Sequence, residues 1–172
     1  MTAIDRLLTW DRSISSRLVA LVNRARWLQM LALIVTHSGD SILWLLGAGV
    51  AIYWGGDLCK PLGWRILVGM VVCGLSTGFL KALFRRQRPA GGQRTYYIGP
   101  DRHSFPSGHA TRAACMVVFL SPLIPFWATG ALVVWALLLG LSRVALSFHL
   151  ASDVVGGWVS GAAVGALLLW VL

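Results

Sequence analysis

The sequence predicts an all-α fold: a polytopic membrane helix bundle of about six transmembrane helices, preceded by an amphipathic N-terminal helix. Three observations predict it. Apolar residues fill 57% of 172 positions, above the roughly 45–50% usual for soluble domains, and mean hydropathy is +0.73. Apolar runs of helical length alternate with short polar turns along the chain. The formal net charge is +9, from 15 Lys and Arg against 6 acids, all Asp. So oily a chain is not disordered, since disorder needs low hydrophobicity. Nor is it a soluble nucleic-acid binder, whose surface cannot carry this much apolar area. Nucleic acid is therefore not an expected partner; membrane lipids are.

The elements follow in order. Over residues 4–26, Ile4, Leu7, Leu8, Ile14, Leu18, Leu21 and Val22 recur at helical spacing against Arg6, Arg12, Arg17, Arg24 and Arg26. That pattern predicts a helix lying in the membrane interface, with Trp10 and Trp27 at headgroup level. No cleavable leader is expected, because these residues hold Asp5, Asp11 and five Arg without a continuous apolar core. A first span over 17–36 requires Arg24 and Arg26 to snorkel or pair, since burying an Arg costs roughly 2.5–3.5 kcal/mol. His37–Ser41 reads as a turn, 42–54 as an apolar helix, and Lys60–Gly63 as another turn. Residues 64–84 form the longest clean span, about the 20 residues that the hydrocarbon core requires. Residues 85–106 are the extended polar loop. A helix is expected over 107–121, with breaks at Pro122 and Pro125, then spans at 126–141 and 150–172 around a polar segment at 142–149. Cys59, Cys73 and Cys115 sit far apart in apolar runs and read as small buried hydrophobes, not as a disulfide or zinc set.

Ionisable groups at membrane depth mark function by default. They fall in three clusters, and the predicted topology returns all three to one membrane face. In the first, Lys81, Arg85 and Arg88 lie at i, i+4 and i+7, one helix face, before Pro89 stops the helix. Three converging cations need an anion among them, although cations at span ends also snorkel to headgroups. In the second, Ser104 and Pro106-Ser107-Gly108-His109 open a helix, whose free N–H groups and dipole make an anion site. His109 stands where it can give up a proton. An ordinary helix cap is the plain alternative. In the third, Ser142-Arg143 precedes His149 and Asp153 at i, i+4. The carboxylate can hold one ring nitrogen and leave the other as base or nucleophile. A purely structural His–Asp pair remains the alternative. Together these cations and N–H donors can hold a phosphoryl group without a metal.

The three clusters resemble the signature of the type 2 phosphatidic acid phosphatase superfamily, membrane lipid phosphatases related to vanadium haloperoxidases. Its pattern is K-x6-RP, PSGH and SR-x5-H-x3-D. Lys81 to Arg88-Pro89 matches the first part, residues 106–109 the second, and Ser142-Arg143, His149 and Asp153 the third. The resemblance implies a helical membrane fold of about six spans forming one phosphatase domain over 1–172, with 85–106 as its active-site loop. It implies catalysis by His149 as nucleophile, Asp153 orienting it and His109 protonating the leaving group. Lys81, Arg88, Ser107, Gly108 and Arg143 would hold the phosphate; Arg85 is a weaker candidate, on the same predicted face but outside the signature. No metal and no cofactor is implied. The wording of FPSGHATRAA, GLSRVAL and RRQRPA is similar to the polyisoprenoid (presqualene) diphosphate phosphatase branch, which implies an isoprenoid mono- or diphosphate as the phosphorylated lipid substrate. Related enzymes on undecaprenyl diphosphate, phosphatidate, phosphatidylglycerol phosphate or lipid A keep those substrates open. Two rivals stand beside hydrolysis: transfer of phosphate to another alcohol, and non-enzymatic transport of an anion or lipid phosphate. The expected location is the cell membrane, the inner one in a bacterium. Arg85, Arg86, Arg94 and Arg102 favour a cytoplasmic site, whereas six spans from a cytoplasmic N-terminus put the site outside.

Overall fold

The computed structural model describes residues 3–88 and 103–172. Pro89, Arg94 and Arg102, and with them most of the 85–106 loop, lie outside the described residues. Among the described residues there are seven α-helices: α1 (Ala3–Val22), α2 (Arg26–Ser38), α3 (Ser41–Trp54), α4 (Cys59–Phe84), α5 (Gly108–Leu120), α6 (Phe126–Ala145) and α7 (Ala151–Val171). Among the described residues there is no named strand, only a single bridge between Gln87 and His103.

Helices α4, α6 and α7 are long and apolar enough to cross a membrane. Their outer faces expose Leu75, Phe79, Leu138 and Val159, the pattern of a lipid-facing surface. Helix α3 is apolar but only 14 residues long. The first span expected over 17–36 is not one straight helix. Helices α1 and α2 meet at 116°, with the break at residues 23–25. The bend removes any need to bury Arg24 in a straight helix. With the bent pair counted as one span, length and apolarity give four, against the expected six or so. Trp10 and Trp27 are both exposed.

Three smaller expectations also change. Lys60–Gly63 is not a turn but part of the first two turns of α4. Pro61 is tolerated there because first-turn N–H groups have no intrahelical partner anyway. Ser142 and Arg143 belong to the last turns of α6 rather than to a separate polar segment. Cys73 and Cys115 are buried, as expected, but Cys59 is exposed at the start of α4.

The core lies around α5, which is ambiphilic because protein surrounds it. Its Ala110, Ala113, Cys115, Met116 and Phe119 are buried against α4, α6 and α7. The closest approach is α5 on α7. A Cβ on Gly157 would stand 2.7 Å from the Ser107 carbonyl oxygen, and one on Gly161 would run into that of Thr111. Small residues four apart let the two backbones touch, the usual device for helix association in lipid. The Ser107 N–H donates to the Asp153 carbonyl at 2.9 Å. The starts of α5 and α7 are thereby locked side by side.

Candidate active site

The ends of four helices meet at one end of the bundle. Lys81 comes from the last turn of α4, Gly108 and His109 from the first turn of α5, Arg143 from the last turn of α6, and Asp153 from the first turn of α7. Cations at helix C-termini and a carboxylate at an N-terminus each agree with the helix dipole. Lys81, Arg88, Gly108, His109, Arg143 and His149 line one cavity of about 330 Å³, within the range of small-ligand sites. Residues from all three sequence clusters thus line one cavity.

His149 is set by the turn after α6. Ser147 adopts left-handed backbone (φ 59), and the Phe148 and His149 N–H groups both donate to the Arg143 carbonyl, at 3.0 and 3.2 Å. The Arg143 guanidinium lies 4.3 Å from the centre of the Phe148 ring. The same short turn thus fixes both Arg143 and His149. His149 Nδ1 lies 3.5 Å from Asp153 Oδ2, close enough for an ionic contact but without hydrogen-bond geometry, and the residue lines the cavity. Burial pushes His149 down to about 4, against the opposing pull of Asp153. Its ring is therefore neutral near pH 7.

Asp153 is fully buried. Its Oδ2 accepts the Leu150 N–H at 2.9 Å. Its Oδ1 accepts Arg86 Nη1 at 2.8 Å and the Ser104 hydroxyl at 3.5 Å. Ser104, expected only as part of a helix start, thus supports the carboxylate. Ser107 caps α5 with its backbone. Its Oγ is buried and has no hydrogen-bond partner among the described residues, nor has Thr77 Oγ1, which lines the cavity.

Arg85 is a correction. Helix α4 ends at Phe84, and Arg85 takes left-handed backbone (φ 47) at the cap. Its side chain is exposed and its Nε donates to the Ala82 carbonyl at 3.0 Å. The predicted i, i+4, i+7 face therefore does not exist beyond Lys81. Arg88 reaches the cavity because the chain turns back, and its Nη1 donates to the Phe148 carbonyl at 3.3 Å.

Three residues escaped the sequence reading. Arg86, next to the expected Arg85, is the cation that meets Asp153. Asp40, in the α2–α3 turn, places Oδ1 3.0 Å from His109 Nε2 and Oδ2 2.8 Å from His37 Nδ1. The His109 contact, foremost, holds the Asp40 carboxyl at about 2. Arg112, one turn along α5, lines the cavity and brings Nη2 3.5 Å from His109 Nδ1. The Asp40 turn is pinned by two indoles: Trp135 Nε1 donates to Ser38 Oγ at 2.9 Å and Trp44 Nε1 to the Ser38 carbonyl at 3.1 Å. A signal existed for Arg112, three residues after His109 and so on its helix face. None existed for Asp40, which is 69 positions from its partner.

The family model for the PAP2 superfamily matches residues 62–172. The chain belongs to the PAP2 superfamily. Phosphatidylglycerophosphatase B of Bacillus subtilis is 31% identical over 169 residues, 88% of this chain and 77% of that protein. The undecaprenyl-diphosphatase of Sulfolobus acidocaldarius is 23% identical over 142 residues, 81% of this chain and 68% of that one. The crystal structure of the transmembrane PAP2-type phosphatidylglycerolphosphate phosphatase of Bacillus subtilis superposes with a TM-score of 0.76. It shares 27% identity and covers 96% of this chain and 86% of its own. This PAP2 protein is therefore a lipid phosphatase of the multi-pass membrane type. The matched segment starts at residue 62, so α1, α2 and α3, which bring Asp11 and Asp40 to the site, precede it.

Proposed function

We propose that the protein hydrolyses an isoprenoid mono- or diphosphate at the membrane surface, through a phosphohistidine at His149 and without a metal. The observation that carries this reading is the convergence of His149, His109 and the cations Lys81, Arg88 and Arg143 on one cavity. With Asp153 at Nδ1, the Nε2 lone pair of His149 attacks phosphorus and forms the P–N bond. The bond from phosphorus to the leaving oxygen breaks, and His109 gives that oxygen a proton. Water then attacks phosphorus, His109 takes up the water proton, and the P–N bond breaks to release phosphate. Lys81, Arg88, Arg143 and the N–H groups at the start of α5 stabilise charge on the transferring oxygens. Burial works against a proton on His109, and the Asp40 contact opposes that effect. Arg112 supports the diphosphate form of the reading, because a departing lipid monophosphate carries charge that this cation, beside His109, can offset.

The test is phosphate release from farnesyl diphosphate by protein purified in detergent, with EDTA in excess. Activity should persist in EDTA and be inhibited by vanadate, which mimics the trigonal-bipyramidal phosphorus. Loss in EDTA would overturn the metal-free mechanism. A second reading keeps the chemistry and changes the lipid to phosphatidylglycerol phosphate; the Bacillus subtilis relative favours it. Parallel assays with farnesyl, undecaprenyl, phosphatidylglycerol, phosphatidate and lipid A phosphates separate the two. Adding a soluble alcohol and measuring its phosphorylation distinguishes transferase from hydrolase. Transport without hydrolysis would leave an Asp153→Asn variant fully active.

A further inference from the structure

The N-terminal helix does more than lie at an interface. Asp11 of α1 reaches the first turn of α7, 141 positions away. Its Oδ1 accepts the Ser152 N–H at 2.9 Å, and its Oδ2 accepts the Ser152 hydroxyl and Arg86 Nη2, the latter at 2.9 Å. The other prong of the same guanidinium, Nη1, donates to Asp153 Oδ1 at 2.8 Å and to Ser152 Oγ. Arg86 is thus shared between two carboxylates. The Asp11 side chain is only 10% exposed and that of Asp153 0%, so neither is a solvated surface charge.

We propose that Asp11 is a positioning residue for the His149–Asp153 pair and acts through Arg86. The proposal rests on the phosphatase reading above. An arginine fork facing a lone carboxylate tends to take both of its oxygens. Here Asp11 holds one prong, so Arg86 meets Asp153 through Oδ1 alone. Oδ2 is left to the Leu150 N–H and to His149 Nδ1. Without Asp11 the fork is free to swing onto both oxygens and compete with His149 for Oδ2. The nucleophile then loses the contact that fixes its ring and tautomer.

The placement of Asp11 is itself held. One turn on, Ser15 Oγ accepts the Ala151 N–H at 3.0 Å, and Leu18 packs on the cluster of Ala110, Val144 and Val154. On the helix's outer side Trp10 is 72% exposed. One face of α1 therefore meets the lipid interface while another orders the nucleophile's carboxylate.

Ser15 supplies the control, because it docks α1 on the same helix end without touching Arg86. The full chain is purified in detergent as wild type, Asp11→Asn, Asp11→Ala, Asp11→Glu, Ser15→Ala and His149→Ala. Phosphate release from farnesyl diphosphate gives kcat and KM, and thermal unfolding is followed alongside. In Asp11→Asn and Asp11→Ala, kcat should fall about tenfold to a hundredfold, with KM changed less than about twofold, since no phosphate-holding group is removed. Asp11→Glu should recover part of the loss. Ser15→Ala should keep kcat within about twofold while lowering the unfolding temperature about as much. The proposal is overturned if both Asp11 variants keep wild-type kcat, if the loss is in KM alone, or if Ser15→Ala matches their loss. Should Asp11→Ala not fold, the isosteric Asp11→Asn and the Asp11→Glu pair carry the same comparison. Wild type inactive on every lipid phosphate, or His149→Ala fully active, would overturn the phosphatase reading itself.

Discussion

His149 and His109 both line the cavity and both have a carboxylate at a ring nitrogen, but the two carboxylates are built differently. Asp153 is fully buried and is held by a backbone N–H, a hydroxyl and Arg86. Asp40 sits in a turn, its side chain 34% exposed, between buried His109 and half-exposed His37. The first arrangement fixes a geometry. The second grades from the cavity to the surface and keeps its carboxylate in contact with water. That difference suits the two roles proposed: a nucleophile needs a fixed line of attack, whereas an acid needs to exchange its proton.

Breaking the rigid side should cost most. His149→Ala should reduce phosphate release to background, a loss of at least about 10⁴-fold, measured by steady-state turnover. Asp153→Asn should cost about 10²–10⁴-fold, because the wrong tautomer is stabilised while the fold is kept. Asp40→Asn should cost only about tenfold, since water can replace a partly exposed carboxylate. A substrate with a good leaving group, such as a p-nitrophenyl phosphate ester, sharpens the contrast. It should rescue Asp40→Asn and His109→Ala but neither His149→Ala nor Asp153→Asn. Equal rescue of all four would show that the two sides do not divide the work as proposed.

Gly161→Ala tests whether the sides depend on the α5–α7 seam that carries both. The new Cβ meets the Thr111 carbonyl, and overpacking of this kind costs about 1–3 kcal/mol. Denaturation in detergent should register it. The smallest effect is on pH. Burial holds His149 at about 4, so on the acid side kcat/KM should fall as pH drops through that value and the ring gains the proton that removes its attacking lone pair. Asp40, held at about 2 by His109, stays ionised over the same range. Asp40→Asn should therefore lower the profile without moving its acid limb.

Much of the nucleophile's side was legible because its parts are close in sequence. Arg143, His149 and Asp153 lie within eleven positions, and helical spacing alone pairs the last two. The apolar runs likewise set the helical class, since a backbone in lipid must satisfy its hydrogen bonds internally. The misread positions are those where the chain leaves the regular helix. Arg85 fails because α4 stops one residue earlier, and the 17–36 run bends because residues 23–25 break it. Asp11, Asp40 and Arg86 were invisible for a different reason. Their partners are 141, 69 and 67 positions away, and no local pattern encodes such a meeting. The sequence by itself determined that this is an oily helical protein with cations and histidines gathered in three short motifs. It did so because periodicity and charge are properties of short stretches. Only the tertiary structure decided which carboxylate serves which histidine, because buried charges find partners by packing, and packing joins helices that the chain keeps far apart.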